Sequence, residues 1–312
     1  MESRQFLGSL VGCSIEMRHV YALIRKCSRQ RSPVLILGEP STGKELVARS
    51  IHFMSMNRKG AFVPLDCSTL TPNLIESELF GHVEGAFTDA PKERTGPLVA
   101  AGHGTLFLDE IGELDLSLQP KLLRTLQEQQ FRPVGATVLK PFDSRIIAAT
   151  SRDLRRDAES GKFRADLYYR LNVLQIELPP LRKRKSDIPL LVASFIEKYS
   201  EHDAQVMFSD AAMMRLLAYD WPGNVRELEN TVECALAVSS GRIIGVSNLS
   251  TTLQTRATDS PHEGRSLESW DELEDETISR AQSAAGSNEK EAARALGIGR
   301  TPLHRKLTKK RT

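Results

Sequence analysis

Val34-Leu35-Ile36-Leu37 runs directly into Gly38-Glu39-Pro40-Ser41-Thr42-Gly43-Lys44-Glu45, and this junction decides the fold. The four apolar residues read as a short strand buried on both faces. The next residues fit G-x-x-x-x-G-K, with Glu45 where Ser or Thr is usual, and a helical pattern opens at Lys44. Strand, glycine-rich turn and helix are the context a phosphate-binding loop needs. Backbone N–H groups can curl round phosphate oxygens there, and the helix N-terminus adds positive potential. Lys44 would reach the β- and γ-phosphates of a nucleotide. A chance glycine-rich turn before a helix is the competing reading.

A second stretch weakens that competitor. Leu106-Phe107-Leu108 ends in Asp109-Glu110. Two like charges at a strand end repel, so the pair is a poor structural choice. It suits phosphoryl chemistry: Asp109 can hold magnesium through water while Glu110 polarises an attacking water. Further short apolar runs at 62–65, 105–108, 146–150 and 173–178 read as strands, and 44–54, 73–79, 118–129 and 153–160 as helices. Their alternation predicts an α/β fold with a parallel sheet and crossover helices. Pro179-Pro180 ends the pattern. Only helical patterns follow, at 187–199, 209–219 and 223–238, which predicts a helical lid.

Composition bounds the alternatives. The chain has 312 residues, 40% apolar and 26% charged, with a net charge of +2, ordinary values for a soluble globular protein of about two domains. No apolar run is long enough to span a membrane, and the N-terminus lacks the basic start and apolar core of a signal peptide. Cys13, Cys27, Cys67 and Cys234 form no C-x-x-C pair, which argues against a zinc ribbon or disulfide framework and for a cytoplasmic location. The near-neutral total conceals a charge reversal. Residues 256–285 carry three Lys/Arg against eight Asp/Glu, and 286–312 carry eight against two.

With both motifs in place, the chain resembles the AAA+ domain of the bacterial enhancer-binding proteins, the NtrC-like activators of the sigma-54 form of RNA polymerase. Its ELFGH and GAFTDA blocks (78–82 and 85–90) are similar to the family's ELFGH…GAFTGA loop. The blocks GTLFLDEIGEL, QPKLLRTLQE, FRADLYYRLNV, LPPLR and WPGNVRELEN follow in family order. The resemblance implies a ring, expected as a hexamer built from dimers, that hydrolyses ATP with Mg2+ to remodel a sigma-54 promoter complex. It implies nucleotide contacts from 38–45, Asp66, Asp109, Thr150 and Arg226. Arg164 and Arg170 are expected as arginine fingers reaching a neighbour's γ-phosphate, and Gly85, Ala86, Phe87 and Thr88 as the loop that touches the sigma factor. The stretch 131–142, with Gly135 and Ala136 at its centre, reads as a hairpin able to lie beside that loop. Four positions depart from the family pattern: Ser41 replaces a glycine, Asp89 a glycine, and Asp66 and Ser151 an asparagine. The asparagine that Asp66 replaces is thought to restrain the catalytic glutamate. A carboxylate there would raise one pKa of the acid cluster or recruit a cation.

The C-terminus reads separately. Ala292, Ala293 and Leu296 lie at helical spacing, Gly297 and Gly299 make a turn, and Leu303 and Leu307 start a second helix face. Arg300, Thr301, His304, Arg305 and Lys306 suit phosphates and base edges of double-stranded DNA, and the segment resembles the family's Fis-type helix-turn-helix. The expected organisation is an α/β ATPase subdomain at 8–180, a helical lid at 181–248, a linker at 249–267 and a DNA-binding domain at 268–312. About ten residues precede the first matching block; if the chain starts there, control is expected from a partner, from expression level or from nucleotide affinity, and a shortened chain is the equal alternative. The alternative is a DNA-binding regulator that keeps the AAA+ fold without activating sigma-54 polymerase; Asp89 motivates it.

Overall fold

The computed structural model describes residues 6–7, 10–68, 72–86, 92–200, 206–239 and 241–255. Phe87, Thr88 and Asp89 of the loop tip lie outside them, as do the linker beyond 255 and the tail residues Arg300, Thr301, His304, Arg305 and Lys306. An antiparallel pair, β1 (Phe6–Leu7) and β2 (Leu10–Val11), precedes helix α1 (Ile15–Ser28). The α/β layer then runs β3 (Val34–Leu37), α2 (Lys44–Phe53), β4 (Phe62–Asp66), α3 (Pro72–Phe80), α4 (Pro97–Ala100) and β5 (Thr105–Asp109). It continues through α5 (Gln119–Glu128), the hairpin β6 (Gln130–Phe131) and β7 (Lys140–Pro141), β8 (Arg145–Thr150), α6 (Leu154–Glu159), α7 (Ala165–Leu171) and β9 (Leu174–Glu177).

Five of these strands form one parallel sheet in the order β4-β5-β8-β3-β9. Alternation along each strand feeds two cores. Leu35, Leu106, Leu108, Ile146 and Ala148 pack on one face, and Val34, Ile36, Phe107, Ile147 and Ala149 on the other. Because both faces are covered, the strands read as continuous apolar runs rather than as alternating ones. The crossing from β3 to its neighbour β8 brings the chain ends of β3 and β5 to one edge. That carboxyl edge is where parallel sheets place their sites.

Beyond β9 the chain forms α8 (Ile188–Tyr199), β10 (Met207–Phe208), α9 (Asp210–Ala218), α10 (Asn224–Val238), β11 (Ile243–Ile244) and α11 (Thr251–Thr255), around a separate core centred on Trp221 and Leu228. The expectation of helices alone after Pro180 needs correcting, because β10 and β11 pair in parallel. Two-residue strands carry no period that a sequence could display. Helix α1 and helix α7 were also assigned no element from sequence. In α1, Ser14 caps the start by accepting from Met17 N–H, and Met17, Val20, Tyr21, Ile24 and Cys27 are buried at helical spacing, so the signal was present.

Asp187, fully buried just before α8, ties the lid to the start of α1. It accepts from the N–H of Cys13 at 2.6 Å, the N–H of Ser14 at 2.7 Å and the Ser14 hydroxyl at 2.8 Å. Asp187→Ala leaves these donors buried and unpaired and is expected to cost about 3 kcal/mol of stability. Urea denaturation beside the parent chain measures it.

Candidate active site

The loop after β3 is built from backbone that wraps inward. Gly38 N–H donates to the Thr150 carbonyl at the end of β8 at 3.3 Å. A Cβ on Gly38 would lie 2.9 Å from the Thr42 hydroxyl, so the close approach itself requires glycine. Ser41 has φ +61° and Gly43 φ +104°, both left-handed. The family's glycine at 41 thus has a conformational reason, and Ser41 adopts the same turn at some cost.

Lys44 opens α2 and is 6% exposed. Its Nζ donates to the Gly38 carbonyl at 3.1 Å and pairs with Glu110 Oε1 at 2.9 Å. Glu110 sits at the end of β5 with φ +47°, which turns its carboxylate back across the sheet edge. Its Oε2 accepts from both the N–H and the hydroxyl of Ser151, each at 2.9 Å. Burial would raise the Glu110 pKa, but the hydrogen bonds from Lys44 and Ser151 hold it below its usual value. Asp109 moves the other way: burial raises its pKa, and the charges of Glu110 and Asp66 add to that. Asp66 is placed beside Asp109 by the β4–β5 register. It turns to Ser68, accepting from its N–H at 2.8 Å and its hydroxyl at 2.7 Å. Glu110 is therefore held by Ser151 and Lys44. The carboxylate whose pKa rises is Asp109. Cys67, sealed beneath the three acids, has its thiol pushed up to about 12 by burial and then by their charges.

A cavity of about 400 Å3 opens here, lined by Ser41, Gly43, Lys44, Asp66, Asp109 and Glu110 on one side and by Val225, Arg226 and Glu229 of α10 on the other. Its size is that of a small-molecule site. Thr150 is buried at the end of β8, its hydroxyl accepting from Arg152 N–H at 3.1 Å. Magnesium binding can be tested on the donors present. Glu45 pairs with Arg49 at 2.7 Å, and the Thr42 hydroxyl donates to the Glu39 carbonyl at 2.8 Å, so neither offers the usual hydroxyl ligand. Asp109, a hard oxygen donor in an excess of negative charge, fits a cation that keeps most of its water.

The lid grips the phosphate loop through residues that sequence reasoning did not single out. Asn224, buried at the start of α10, donates to the Pro40 carbonyl at 3.1 Å and to Glu39 Oε2 at 3.2 Å. Val225 N–H donates to the Ser41 carbonyl at 3.1 Å, and the buried Arg184 to the Thr42 carbonyl at 2.9 Å. Arg182 forks onto Glu39, with one bond of 2.8 Å. Arg182 lies in the LPPLR block and Asn224 and Val225 in the WPGNVRELEN block, with Arg184 two residues beyond the first, but only folding pairs them with the loop.

Arg164 and Arg170 are not brought into this cavity. Both are exposed on or beside α7. Arg164 pairs with Asp166 at 2.7 Å, and Arg170 donates to the Leu126 carbonyl at 2.7 Å. The base of the GAFTDA loop is anchored by the expected hairpin. Val83 N–H donates to the Val134 carbonyl at 3.1 Å, and a Cβ on Gly135 would come within 2.8 Å of the Ala86 Cβ. Gly85 has φ +75° with open space around it.

Fold and cavity together define an AAA+ P-loop ATPase with a helical lid. A family model described as the sigma-54 interaction domain matches residues 10–177, and an AAA+ ATPase lid domain matches 182–266. The chain is 45% identical over 303 residues to the transcriptional regulatory protein ZraR of Klebsiella oxytoca, covering 96% of this chain and 68% of that protein. It is 44% identical over 311 residues to the C4-dicarboxylate transport transcriptional regulatory protein DctD of Pseudomonas aeruginosa, covering 99% and 65%. The crystal structure of NtrX from Brucella abortus in complex with ADP superposes with a TM-score of 0.75 at 33% identity, covering 96% of this chain and 69% of that one. The chain belongs to the family of sigma-54-dependent transcription activators.

Glu39 supplies a pH test of the lid contact. Hydrogen bonds from Arg182 above all lower its pKa from 4.5 to about 2. A carboxyl whose pKa falls on folding adds stability above its unfolded value and loses it as pH falls towards the folded one. Below about pH 4.5 the parent should lose this contribution, and Glu39→Gln should lack that part of the acid limb. Unfolding midpoints measured from pH 6 to pH 2 compare the two.

Proposed function

We propose that ATP with magnesium occupies the cavity between the phosphate loop and α10, and that its hydrolysis in a ring of subunits drives remodelling of the sigma-54 promoter complex. The observation that carries this reading is the Lys44–Glu110 contact of 2.9 Å beside Asp109, in a cavity roofed by Arg226 of the lid. Lys44 would pass from Glu110 to the β- and γ-phosphates. Glu110 would then lose the cation that depresses its pKa and become a better acceptor for a proton of water. That water attacks the γ-phosphorus, the bond to the β–γ bridging oxygen breaks, and ADP leaves with the electron pair. When bound, magnesium neutralises charge on the β- and γ-oxygens, and Asp109 is the residue to hold it.

Thr150, whose carbonyl accepts from Gly38 N–H of the phosphate loop, would sense the γ-phosphate, and Arg226 would link nucleotide state to lid position. Arg164 and Arg170, exposed and outside the cavity lining of their own subunit, suit a neighbour's γ-phosphate, where a planar guanidinium meets spreading negative charge. Phe87 and Thr88, carried on the anchored Gly85–Ala86 base, would touch the sigma factor. Arg300, Thr301, His304, Arg305 and Lys306 would read upstream DNA and gather dimers into a hexamer.

Lys44→Ala is expected to abolish nucleotide binding. Glu110→Gln should keep ATP binding while turnover falls by about 100-fold or more. Arg170→Ala should lower turnover by about 1000-fold. Mixing Arg170→Ala with Lys44→Ala subunits should restore part of the rate, because some interfaces regain both groups. Phosphate release assays measure all four. Equal rates in parent, Lys44→Ala and Glu110→Gln would remove the ATPase reading, and absence of rescue would place Arg170 in its own subunit's chemistry.

A further inference from the structure

The amino ends of β3 and β8, at the opposite edge of the sheet from Lys44, border a second and smaller cavity of about 130 Å3. Its polar lining includes Arg31, Gln129, Asp143, Arg145 and Arg170. Arg145, the first residue of β8, is 4% exposed. One NH2 bond reaches the Cys27 carbonyl at 2.7 Å. Among the described residues its Nε and NH1 have no hydrogen-bond partner, and it forms no ion pair. Arg184, the other buried arginine with an unpartnered Nε, differs: the charge of Asp187 acts on it. Asp143, the acid in the wall of the smaller cavity, is shared between His103 at 2.6 Å and Arg31 at 3.7 Å. Three arginines therefore line the cavity against one carboxylate that is already engaged.

A buried guanidinium without a counterion is costly, and its loss of hydration is recovered only by hydrogen bonds and opposite charge. Water can satisfy N–H groups but brings no charge. We propose that this cavity is a binding site for a phosphate-class oxyanion, anchored on the buried Arg145 guanidinium with Arg31 at its mouth. Each of the unpartnered Nε and NH1 groups can donate one charge-assisted hydrogen bond to an oxygen of a tetrahedral anion. The cavity is below the about 300 Å3 at which small-molecule sites begin, so it takes the oxyanion itself, free or as the end of a larger molecule. This site is separate from the nucleotide cavity and does not rest on the ATPase reading.

The test uses the full chain carrying Lys44→Ala, so that the phosphate loop does not answer for the second cavity. Inorganic phosphate at a hundred times its Kd should raise the thermal midpoint by about 5 °C over sodium chloride of equal ionic strength. Arg145→Met should abolish this rise, yet unfold at the same or a higher temperature without phosphate, because an apolar chain replaces a buried unpaired charge. Arg31→Ala changes a side chain that is 73% exposed. It should weaken phosphate binding about tenfold and leave the phosphate-free midpoint unchanged, which keeps the test open should Arg145→Met fail to fold. Stabilisation by ATP and not by inorganic phosphate, still dependent on Arg145, would assign the same site to a phosphate carried on a nucleotide. A phosphate response equal with and without Arg145, or no response to either ligand, overturns the proposal.

Discussion

Burying the Lys44 ammonium is the constraint around which the nucleotide cavity is organised. An ammonium taken out of water needs an anion and acceptors at close range, and Glu110 and the Gly38 carbonyl supply them. Each partner is delivered by a different element: Lys44 by the first turn of α2, Glu110 by the end of β5, Gly38 by the loop after β3. The pair thus closes only if β3 and β5 end at the same edge with β8 between them, which is what the parallel order provides. Ser151, at the end of β8, takes the second oxygen of Glu110. Charge burial and sheet topology are here two aspects of one requirement.

The same edge concentrates backbone in the left-handed region. Ser41, Glu110 and Asn224 have φ of +61°, +47° and +51°, conformations that side chains other than glycine rarely adopt. Such residues persist where their surroundings over-determine them, and they gather at functional sites. Each has a visible compensation. The Ser41 carbonyl receives Val225 N–H, Glu110 is held by two hydrogen bonds from Ser151 and by the Lys44 cation, and Asn224 is buried with both ends of its amide engaged. These bonds also couple the two halves of the molecule. The start of α10 is thereby bonded directly to Pro40 and Ser41 of the glycine-rich loop. Between them Arg182 and Asn224 hold Glu39, whose low pKa records the strength of that grip.

Much of this was legible in the residues. The strands at Val34–Leu37, Phe62–Asp66, Thr105–Asp109, Arg145–Thr150 and Leu174–Glu177 lie within a residue or two of the apolar runs that predicted them, because a strand buried on both faces has no polar alternation to blur it. The helices from α2 to α10 that carried caps and 3.6-residue spacing were equally plain. Less visible were elements too short for any period, such as β10 and β11, and helix α7, whose Tyr169 and Arg170 face solvent. Asp66 shows another limit. Its position beside Asp109 follows from register, but its choice of Ser68 over Glu110 depends on side-chain rotamers that spacing cannot reveal.

The linear order of residues determined the phosphate loop, the acid pair at the end of β5, the apolar strands and the lid that follows Pro180. These depend on neighbours a few positions apart, and local chemistry is enough to specify them. Tertiary structure alone decided which distant groups meet. Lys44 reaches Glu110, Glu39 is caught by Arg182 and Asn224, and Arg145 is buried at the far end of the sheet with Nε and NH1 unpartnered among the described residues. The physical reason is that burial, charge pairing and rotamer choice are set by elements packed from across the chain, and no stretch of sequence contains its own surroundings.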